Sequence, residues 1–299
     1  MLIDLHSHSN VSDGTTSPAD LVRRAAEVGL DVIALTDHDT AAGWDEAAAA
    51  ARTHRVCFVP GMEISTKHRG RSVHLLAYLV DPTHEELAGE LDEIVAGRTD
   101  RLAAVLTQLA AAEISLTEDE VRRQASPHAV LGRPHIADAL VARALVKDRA
   151  EAFEAWLNPG QPGFVVRYAP STSTMIRVVT EAGGAAVIAH PWGRASRTVL
   201  DRETLAGFAA AGLVGIEVDH QDHSPDDREA LRLLAAELGL VATGSSDYHG
   251  AGKVDHDLGC NVTAPAELGR LIDAAAANAL ASGRRVPVVE GAHRAGLAT

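Results

Sequence analysis

The sequence predicts an α/β fold made of βα units that is interrupted by a helical insert. Short apolar, strand-like runs alternate with helical patterns in the first part of the chain, and this order returns after a long helical stretch in the middle. The β-α-β order with short links predicts parallel strands covered by helices. We place the first part of the main domain at 1–97, the insert at 98–163 and the second part of the main domain at 164–299.

The first helix of the main domain has clear start and stop signals. The Ser17 hydroxyl can accept a hydrogen bond from the first turn, Pro18 suits the first helical position, and Gly29 ends the pattern. Strands are predicted on both sides of this helix and after the next one. The predicted strands cover 1–3, 31–36, 56–60 and 72–80, and the second helix covers about 42–52.

The middle of the chain is helical from 83 to about 112 and again up to about 157, with apolar residues at helical spacing. A capping box over 117–120 opens a short helix between these segments. The turn-rich stretch 158–163 ends the insert, which we expect to cap the mouth of the main domain. Strands then follow at 185–189, 215–218 and 240–243, between helices at 171–183, 205–211, 225–238 and 265–280.

Composition indicates an ordinary globular protein. The chain has 299 residues, of which 46% are hydrophobic and 23% are charged. No apolar run approaches the roughly 18 residues that cross a bilayer, and we find no signal peptide at the N-terminus. Cys57 and Cys260 stand apart without CxxC spacing, which is expected in a reducing compartment. We therefore expect a cytoplasmic protein with no membrane contact.

The formal net charge of −14, with histidine neutral, restricts the possible partners. Broad binding of double-stranded nucleic acid requires a basic surface, so this charge argues against it. A small phosphorylated substrate remains compatible, because bound divalent cations would offset negative charge locally. The sequence gives no indication of the oligomeric state.

Histidine and carboxylate side chains occur at or just after the ends of several predicted strands. His6 and His8 point to the same face of a strand because side chains alternate there, and two neighbouring imidazoles can bind a metal. Each histidine taken alone is more often a structural or surface residue. In a parallel barrel all these strand ends meet at one mouth, so the joint pattern predicts a multinuclear metal site. The candidate ligands are His6, His8, Asp13, His38, Glu63, His74, His190, Asp247 and His249.

Six motifs, HSH…SDG, TDHD, GMEIS, VHLLAY, AHP and GSSDYH, resemble those of the PHP family, named for polymerase and histidinol phosphatase domains. They occur in order over almost the whole chain. The resemblance implies a distorted (β/α)7 barrel and up to three divalent metals, with Glu63 bridging two of them. Carried over by position, the ligand sets are His6, His8, Glu63 and Asp247 for one metal, Asp13, His38 and His249 for a second, and Glu63, His74 and His190 for a third.

A narrower resemblance concerns the insert. The stretch GRPHIA, together with an arginine shortly after AHP, is similar to the PHP subgroup that acts on nucleoside 3′,5′-bisphosphates and on short RNA 5′ ends. Arg133 offers a planar fork of donors for a second phosphate, and Arg194 could do the same. His135 is a further candidate phosphate contact, and His223 could line the pocket. A surface or helix-capping role for Arg133 and an ordinary loop position for His223 remain the alternatives.

The ligand set indicates hydrolysis of phosphate esters. Bridged divalent ions lower the pKa of bound water, and the resulting hydroxide can attack phosphorus in line. The main hypothesis is removal of the 3′-phosphate from nucleoside 3′,5′-bisphosphates, with trimming of short RNA from the 5′ end as a related activity. The alternatives are a histidinol-phosphate or general phosphomonoesterase and a non-catalytic metal-binding module. The residues expected to carry catalysis are Asp13, His38, Glu63, Asp247 and His249.

The sequence constrains the identity of the metal and the location of the remaining histidines less strongly. We expect two to three divalent ions, with Mn²⁺ first and Fe²⁺ or Zn²⁺ as alternatives, because mixed imidazole and carboxylate ligands suit all three. Lys253 could line the mouth of the site. We expect the other histidines to lie on the solvated surface. These are His54, His68, His84, His256 and His293.

Overall fold

The computed structural model describes residues 1–127, 129, 131–193 and 196–291. Seven strands in this part of the chain form one sheet in chain order, and the sheet curls into a nearly closed barrel. The strands are β1 (Ile3–Asp4), β2 (Val32–Leu35), β3 (Cys57–His68), β4 (Arg71–Tyr78), β5 (Ala185–Ile188), β6 (Gly215–Asp219) and β7 (Val241–Gly244).

The sheet is parallel except around β4. The pairs β1–β2, β2–β3, β5–β6 and β6–β7 are parallel, as predicted. The prediction of parallel strands is wrong for β4, which is antiparallel to both β3 and β5. The cause is the short turn between β3 and β4, where Arg69 and Gly70 have positive φ angles of 46° and 76°. A connection of this length reverses the chain, whereas a parallel crossover needs a dozen or more residues.

Residues just beyond β1 and β7 close the barrel. The backbone N–H of His8 donates to the carbonyl oxygen of Tyr248 at 2.8 Å, and that of Asp247 donates to the carbonyl oxygen of His6 at 2.9 Å. These bonds bring the ends of the first and last strands together. The distorted seven-stranded barrel expected from the family resemblance is therefore confirmed.

Helices cover the barrel and build the insert. The predicted cap at Ser17 is confirmed, since its hydroxyl accepts a hydrogen bond from the Asp20 N–H at 3.1 Å. At the start of the seventh helix, the Ser171 hydroxyl accepts one from the Thr174 N–H at 3.0 Å. No helix in the described ranges has the length and apolar character needed to span a membrane. The helices are α1 (Pro18–Glu27), α2 (Trp44–His54), α3 (Glu85–Ala111), α4 (Glu118–Arg122), α5 (Arg133–Ala142), α6 (Arg149–Ala152), α7 (Thr172–Glu181), α8 (Arg202–Ala210), α9 (Pro225–Leu238) and α10 (Pro265–Ser282).

The two faces of the barrel strands are buried in different apolar clusters. Ile33 and Leu35 of β2 pack with residues of the surrounding helices, whereas Val32 and Ala34 belong to a second cluster that also contains residues of α10. Residues one apart in a strand point to opposite faces. Burial on both faces explains why these strands appear in the sequence as short, continuous apolar runs.

The helical insert has an apolar core of its own. Thirteen buried residues between Leu102 and Leu157 form this third cluster, which we call the cap core. The predicted domain limits stay a prediction, and α3 passes without a break through the first of them at 97/98. The long helix therefore contributes both to the core around the barrel and to the core of the insert.

We predict that the cap core is required for stability. Leu140 is fully buried in it, so Leu140→Ala should lower the free energy of unfolding by about 2–5 kcal/mol through lost burial and the cavity left behind. Urea unfolding followed by circular dichroism measures this change. The matched control is Leu145→Ala, because Leu145 lies nearby in sequence but is 44% exposed, and its effect should stay within about 0.5 kcal/mol. Equal effects of the two substitutions would contradict the prediction.

Candidate metal centre

The nine predicted ligand residues lie together at one end of the barrel. They come from the segments that follow β1, β2, β5 and β7 and from within β3 and β4. His6, His8 and Glu63 are almost completely buried, and none of the nine has an exposed side chain. The ring nitrogens Nε2 of His6 and His8 face each other at 3.0 Å, as the period of a strand predicts.

Glu63 lies at the centre of this group. Its two carboxylate oxygens contact five histidine rings that reach the site from four different segments. From Oε1 the distances are 2.7 Å to His74 and 3.2 Å to His190, and from Oε2 they are 3.1 Å to His38, 3.2 Å to His8 and 3.5 Å to His6. A carboxylate in this position can bridge two metal ions.

Two aspartates, Asp247 and Asp13, complete the group of candidate ligands around the His249 ring. Asp247 Oδ1 lies 3.5 Å from Nε2 of both His6 and His8, and 3.4 Å from Nδ1 of His249. Asp13 Oδ1 lies 3.4 Å from Nε2 of the same His249 ring. The His249 ring therefore stands between the two carboxylates.

The donor atoms fit a centre of several metal ions. Within each of three groups, one nitrogen or oxygen atom per residue lies within 4.8 Å of every other. Imidazole and carboxylate ligands together suit manganese, iron or zinc. The groups share His8 and His38, as expected for neighbouring ions. They are His8, Asp13, His38 and His249; His6, His8 and Asp247; and His38, Glu63 and His74.

Electrostatics keeps the central carboxylate charged. Burial alone would raise the pKa of Glu63, but the surrounding imidazoles, with His74 and His38 first, hold it well below its usual value. Burial has the opposite effect on the imidazole and lowers the pKa of His38 to about 3, against the attraction of Glu63. A charged carboxylate and a neutral imidazole are the protonation states that bind a metal.

Glu217, which the sequence analysis missed, supports the ligands from inside β6. Its Oε1 lies 3.2 Å from Nδ1 of His6, and its Oε2 accepts a hydrogen bond from the backbone N–H of His190 at 2.8 Å. The Ser245 hydroxyl also donates to Oε1. Since Nδ1 of His6 is held by Glu217, its Nε2 is directed at Glu63 and Asp247.

Two more missed carboxylates fix the loops that carry ligands. Asp37 accepts hydrogen bonds from the Ser9 N–H at 2.8 Å and the Ser12 hydroxyl at 2.6 Å, and so orders the loop that carries Asp13. Asp39 accepts one from the Ser65 N–H at 2.7 Å. Both aspartates belong to the TDHD motif, and their position beside His38 was the available signal.

The histidine group extends further than the sequence analysis predicted. His220 Nε2 lies 3.1 Å from Asp247 Oδ2, and His220, Asp247 and His256 form a fourth group of potential metal ligands. The prediction that His256 lies on the solvated surface is wrong, because it is 7% exposed and its Nδ1 lies 2.6 Å from the Ser246 carbonyl oxygen. Lys253 donates to Asp247 Oδ2 and thus lies at the site, as expected.

The four predicted phosphate contacts have different surroundings. His135 is buried near Asp13, and its Nδ1 accepts a hydrogen bond from the Gly132 N–H at 3.0 Å. Arg133 donates to the Leu157 carbonyl oxygen at 3.1 Å. Both ring nitrogens of His223 engage the backbone, which favours a structural role for this residue. Arg194 lies outside the described residues.

Comparisons with known proteins point to one family. The PHP domain family matches residues 4–95. The chain is 39% identical to a 3′,5′-nucleoside bisphosphate phosphatase of Chromobacterium violaceum, over 86% of this chain and 90% of that protein. It is 35% identical to a 5′-3′ exoribonuclease of Haemophilus influenzae, over 82% of this chain and 89% of that protein. A crystal structure described as a putative metal-dependent phosphoesterase, from Bifidobacterium adolescentis, matches with a TM-score of 0.87 and 36% identity, over 91% of this chain and 96% of that one.

We predict that Glu217 strengthens metal binding without being a ligand itself. Glu217→Gln removes the charge that orients His6, and a change of this kind should weaken metal affinity about 10–100-fold. Calorimetric titration of metal-free protein with Mn²⁺ measures the affinity. Glu229→Gln, at an exposed position of α9, is the matched control and should leave it unchanged. Wild-type affinity in Glu217→Gln would contradict the role assigned to Glu217.

Proposed function

Since the chain is a metal-dependent phosphoesterase of the PHP family, we propose that it removes the 3′-phosphate from nucleoside 3′,5′-bisphosphates. The products would be a nucleoside 5′-phosphate and inorganic phosphate. The observation that supports this proposal is the contact of the insert with the ligand segments: Gly132, just before Arg133, packs against Arg98, and Arg98 forms an ion pair with Asp39 beside His38. The relative from Chromobacterium violaceum supports the same substrate class.

We assign the metals to the nine residues at the strand ends. The proposed ligands are His6, His8, Asp13, His38, Glu63, His74, His190, Asp247 and His249. When bound, two or three divalent ions, with Mn²⁺ as our first choice, would activate water and neutralise the phosphate oxygens. Among these residues Asp13, His38, Glu63, Asp247 and His249 are proposed to be essential for turnover.

The chain itself orients the substrate through the cap. The Arg133 guanidinium is held by the Leu157 carbonyl oxygen and lies 5.5 Å from the centre of the Phe153 ring, an arrangement typical of a cation–π contact. A guanidinium restrained in this way loses little freedom when it binds a phosphate through two N–H groups. His135 is proposed as a second contact. Arg194 and His223 stay predictions as phosphate contacts.

A related substrate would have the same reacting groups. The exoribonuclease relative favours a second activity, the removal of nucleotides from the 5′ end of short RNA. A 5′-phosphate next to a 3′-phosphate ester occurs both in a nucleoside bisphosphate and at a phosphorylated RNA end. We therefore propose that one site accepts both and that the free nucleotide is the better substrate.

We predict phosphate release from adenosine 3′,5′-bisphosphate by protein reconstituted with Mn²⁺, with 5′-AMP as the nucleotide product. Chromatography that resolves the AMP isomers identifies the product. Histidinol phosphate, offered in competition, should be cleaved much more slowly. Rapid cleavage of histidinol phosphate with an intact bisphosphate would refute the proposed substrate while leaving the phosphoesterase activity in place.

The same assay tests the proposed ligands. His38→Ala and Asp247→Ala should abolish turnover, because each removes a donor from a group of potential metal ligands. His54→Ala is the matched control, since His54 is exposed at the end of α2 and should leave turnover at the wild-type rate. Removal of metal with a chelator should stop the reaction, and added Mn²⁺ should restore it. Turnover that survives in both variants would contradict the assignment.

A further inference from the structure

A polar cavity of about 250 Å³ lies between the loop after β1 and the insert. Ser12 and Gly14, the two neighbours of Asp13 in the chain, line it on the barrel side, and His135 of α5 lines it on the side of the insert. Asp13 is a proposed metal ligand, and His135 is a proposed phosphate contact. A group bound in this cavity would therefore lie next to the phosphate that reacts at the metal centre.

Backbone contacts fix the loop that forms one wall of the cavity. The Gly14 N–H donates to the Ser9 carbonyl oxygen at 2.9 Å, and the Thr15 N–H donates to the His249 carbonyl oxygen at 3.2 Å. A Cβ atom at Gly14 would lie 2.4 Å from the His8 carbonyl oxygen, so any larger residue would displace this wall. The wall is thus attached to the same backbone segments that carry the proposed ligands His8 and His249.

The charges of Asp138 and Arg149, which both line the cavity, offset each other. Arg149 donates to the two carboxylate oxygens of Asp138 at 2.5 and 2.6 Å. Its Nη1 also donates to the carbonyl oxygens of Asp13 at 3.4 Å and Gly252 at 3.2 Å. A guanidinium with these partners has few N–H groups left for a phosphate. The cavity therefore suits an uncharged group better than an anion.

Neutral amide groups on the cavity wall are available for a ligand. The side-chain amide of Asn10 has no hydrogen-bond partner in the part of the chain that the structure describes. Gln124 is exposed, and its amide nitrogen makes one long hydrogen bond, of 3.4 Å, to the Glu120 carbonyl oxygen. Amide side chains both donate and accept hydrogen bonds, as the hydroxyl groups of a sugar do.

The size and the lining of the cavity favour a sugar over a base. Among the described residues, no phenylalanine, tyrosine or tryptophan lines it, whereas bases of single-stranded nucleic acids commonly bind by stacking on such rings. Pockets that enclose a whole drug-sized ligand measure about 300–1,000 Å³, so a cavity of about 250 Å³ can take a single sugar.

We propose that this cavity binds the ribose of the second nucleotide of a short RNA, the nucleotide that follows the cleaved phosphate. This inference rests on the proposed function, which brings the phosphate between the first two nucleotides to the metals. The second ribose is joined to that phosphate through its 5′ oxygen and so extends from the metal centre. Its 2′-hydroxyl can donate and accept hydrogen bonds with the amides of Asn10 and Gln124. Adenosine 3′,5′-bisphosphate has no second nucleotide, so its hydrolysis does not use the cavity.

The first test uses the wild-type protein and two dinucleotides. Both are 5′-phosphorylated adenosine dinucleotides with ribose in the first position, and they differ only in carrying ribose or 2′-deoxyribose in the second. With Mn²⁺-loaded enzyme, kcat/KM should be about 3–10-fold higher for the ribose form, the effect of one hydrogen bond between neutral groups. The hydroxyl that differs is not on the sugar whose bond to phosphorus breaks. Equal kcat/KM values would contradict the subsite.

Variants of the two amides locate the effect in the cavity. Asn10→Ala and Gln124→Ala should each lower kcat/KM for the ribose dinucleotide about 3–10-fold and reduce the preference for ribose. Turnover of adenosine 3′,5′-bisphosphate should stay at the wild-type rate, which also shows that the variants are folded. Gln108→Ala removes the same amide from an exposed position of α3 and is the matched control. If Asn10→Ala does not fold, Gln124→Ala at its exposed position decides the question.

Binding to metal-free protein gives a readout that does not require turnover. Calorimetry should show that the ribose dinucleotide binds about 3–10-fold more tightly than the deoxyribose form to wild type. This difference should shrink in Asn10→Ala and in Gln124→Ala and persist in Gln108→Ala.

The outcomes separate this inference from the proposed function. If wild type cleaves the bisphosphate but reacts with and binds the two dinucleotides equally, the subsite is refuted and the proposed function stands. If the amide variants lose rate equally on the bisphosphate and the dinucleotide, the subsite is also refuted. If wild type cleaves none of these substrates but prefers the ribose dinucleotide in a way that depends on Asn10 or Gln124, the proposed function fails and the subsite is supported.

Discussion

The arrangement of the site depends on one buried carboxylate. Glu63 is 1% exposed and lies within 3.5 Å of five histidine rings that come from four segments of the barrel. Burying a charged carboxylate is costly unless opposite charge or hydrogen-bond donors surround it. The strand ends must therefore converge on β3 for Glu63 to be buried, and this requirement links the closure of the barrel to the geometry of the metal centre.

Further buried acids hold the segments that converge there. Glu217 supports His6 and the backbone of His190, while Asp37 and Asp39 support the loops after β1 and β2. Three residues at the site have positive φ angles, namely Asp39 at 57°, His190 at 29° and Asp247 at 52°. Such backbone conformations cost of order 1–3 kcal/mol each and persist only where surrounding contacts fix them. The hydrogen bonds of these acids supply contacts of this kind.

The sequence predicted the βα order and the grouping of the nine candidate ligands because these signals are local and periodic, whereas the seven-stranded barrel was implied by the family resemblance. Residues two apart in an extended segment point the same way, as His6 and His8 do just after β1, and strand ends of a barrel meet at one mouth. Other features depend on packing between distant segments. The sequence gives no signal for the reversal at β4, because the chain otherwise has a βα order. Glu217 has the pattern of an ordinary strand residue. Arg98 and Arg101 have the pattern of exposed charged residues on a helix. Only the approach of α3 to the segments that carry Arg133 and Arg167 distinguishes them.

The barrel and the insert contribute side chains of opposite charge near the site. A chain with a net charge of −14 repels a phosphorylated substrate, so positive groups have to be concentrated at the site itself. Arginines held close together repel one another, and the apolar core of the cap can stabilise the elements that carry them. Asp39 is the point of contact between the two parts, since it binds Arg98 of the cap and adjoins His38 of the barrel. A change at this aspartate would therefore disturb both groups of charges, although Asp39 is not one of the nine proposed metal ligands.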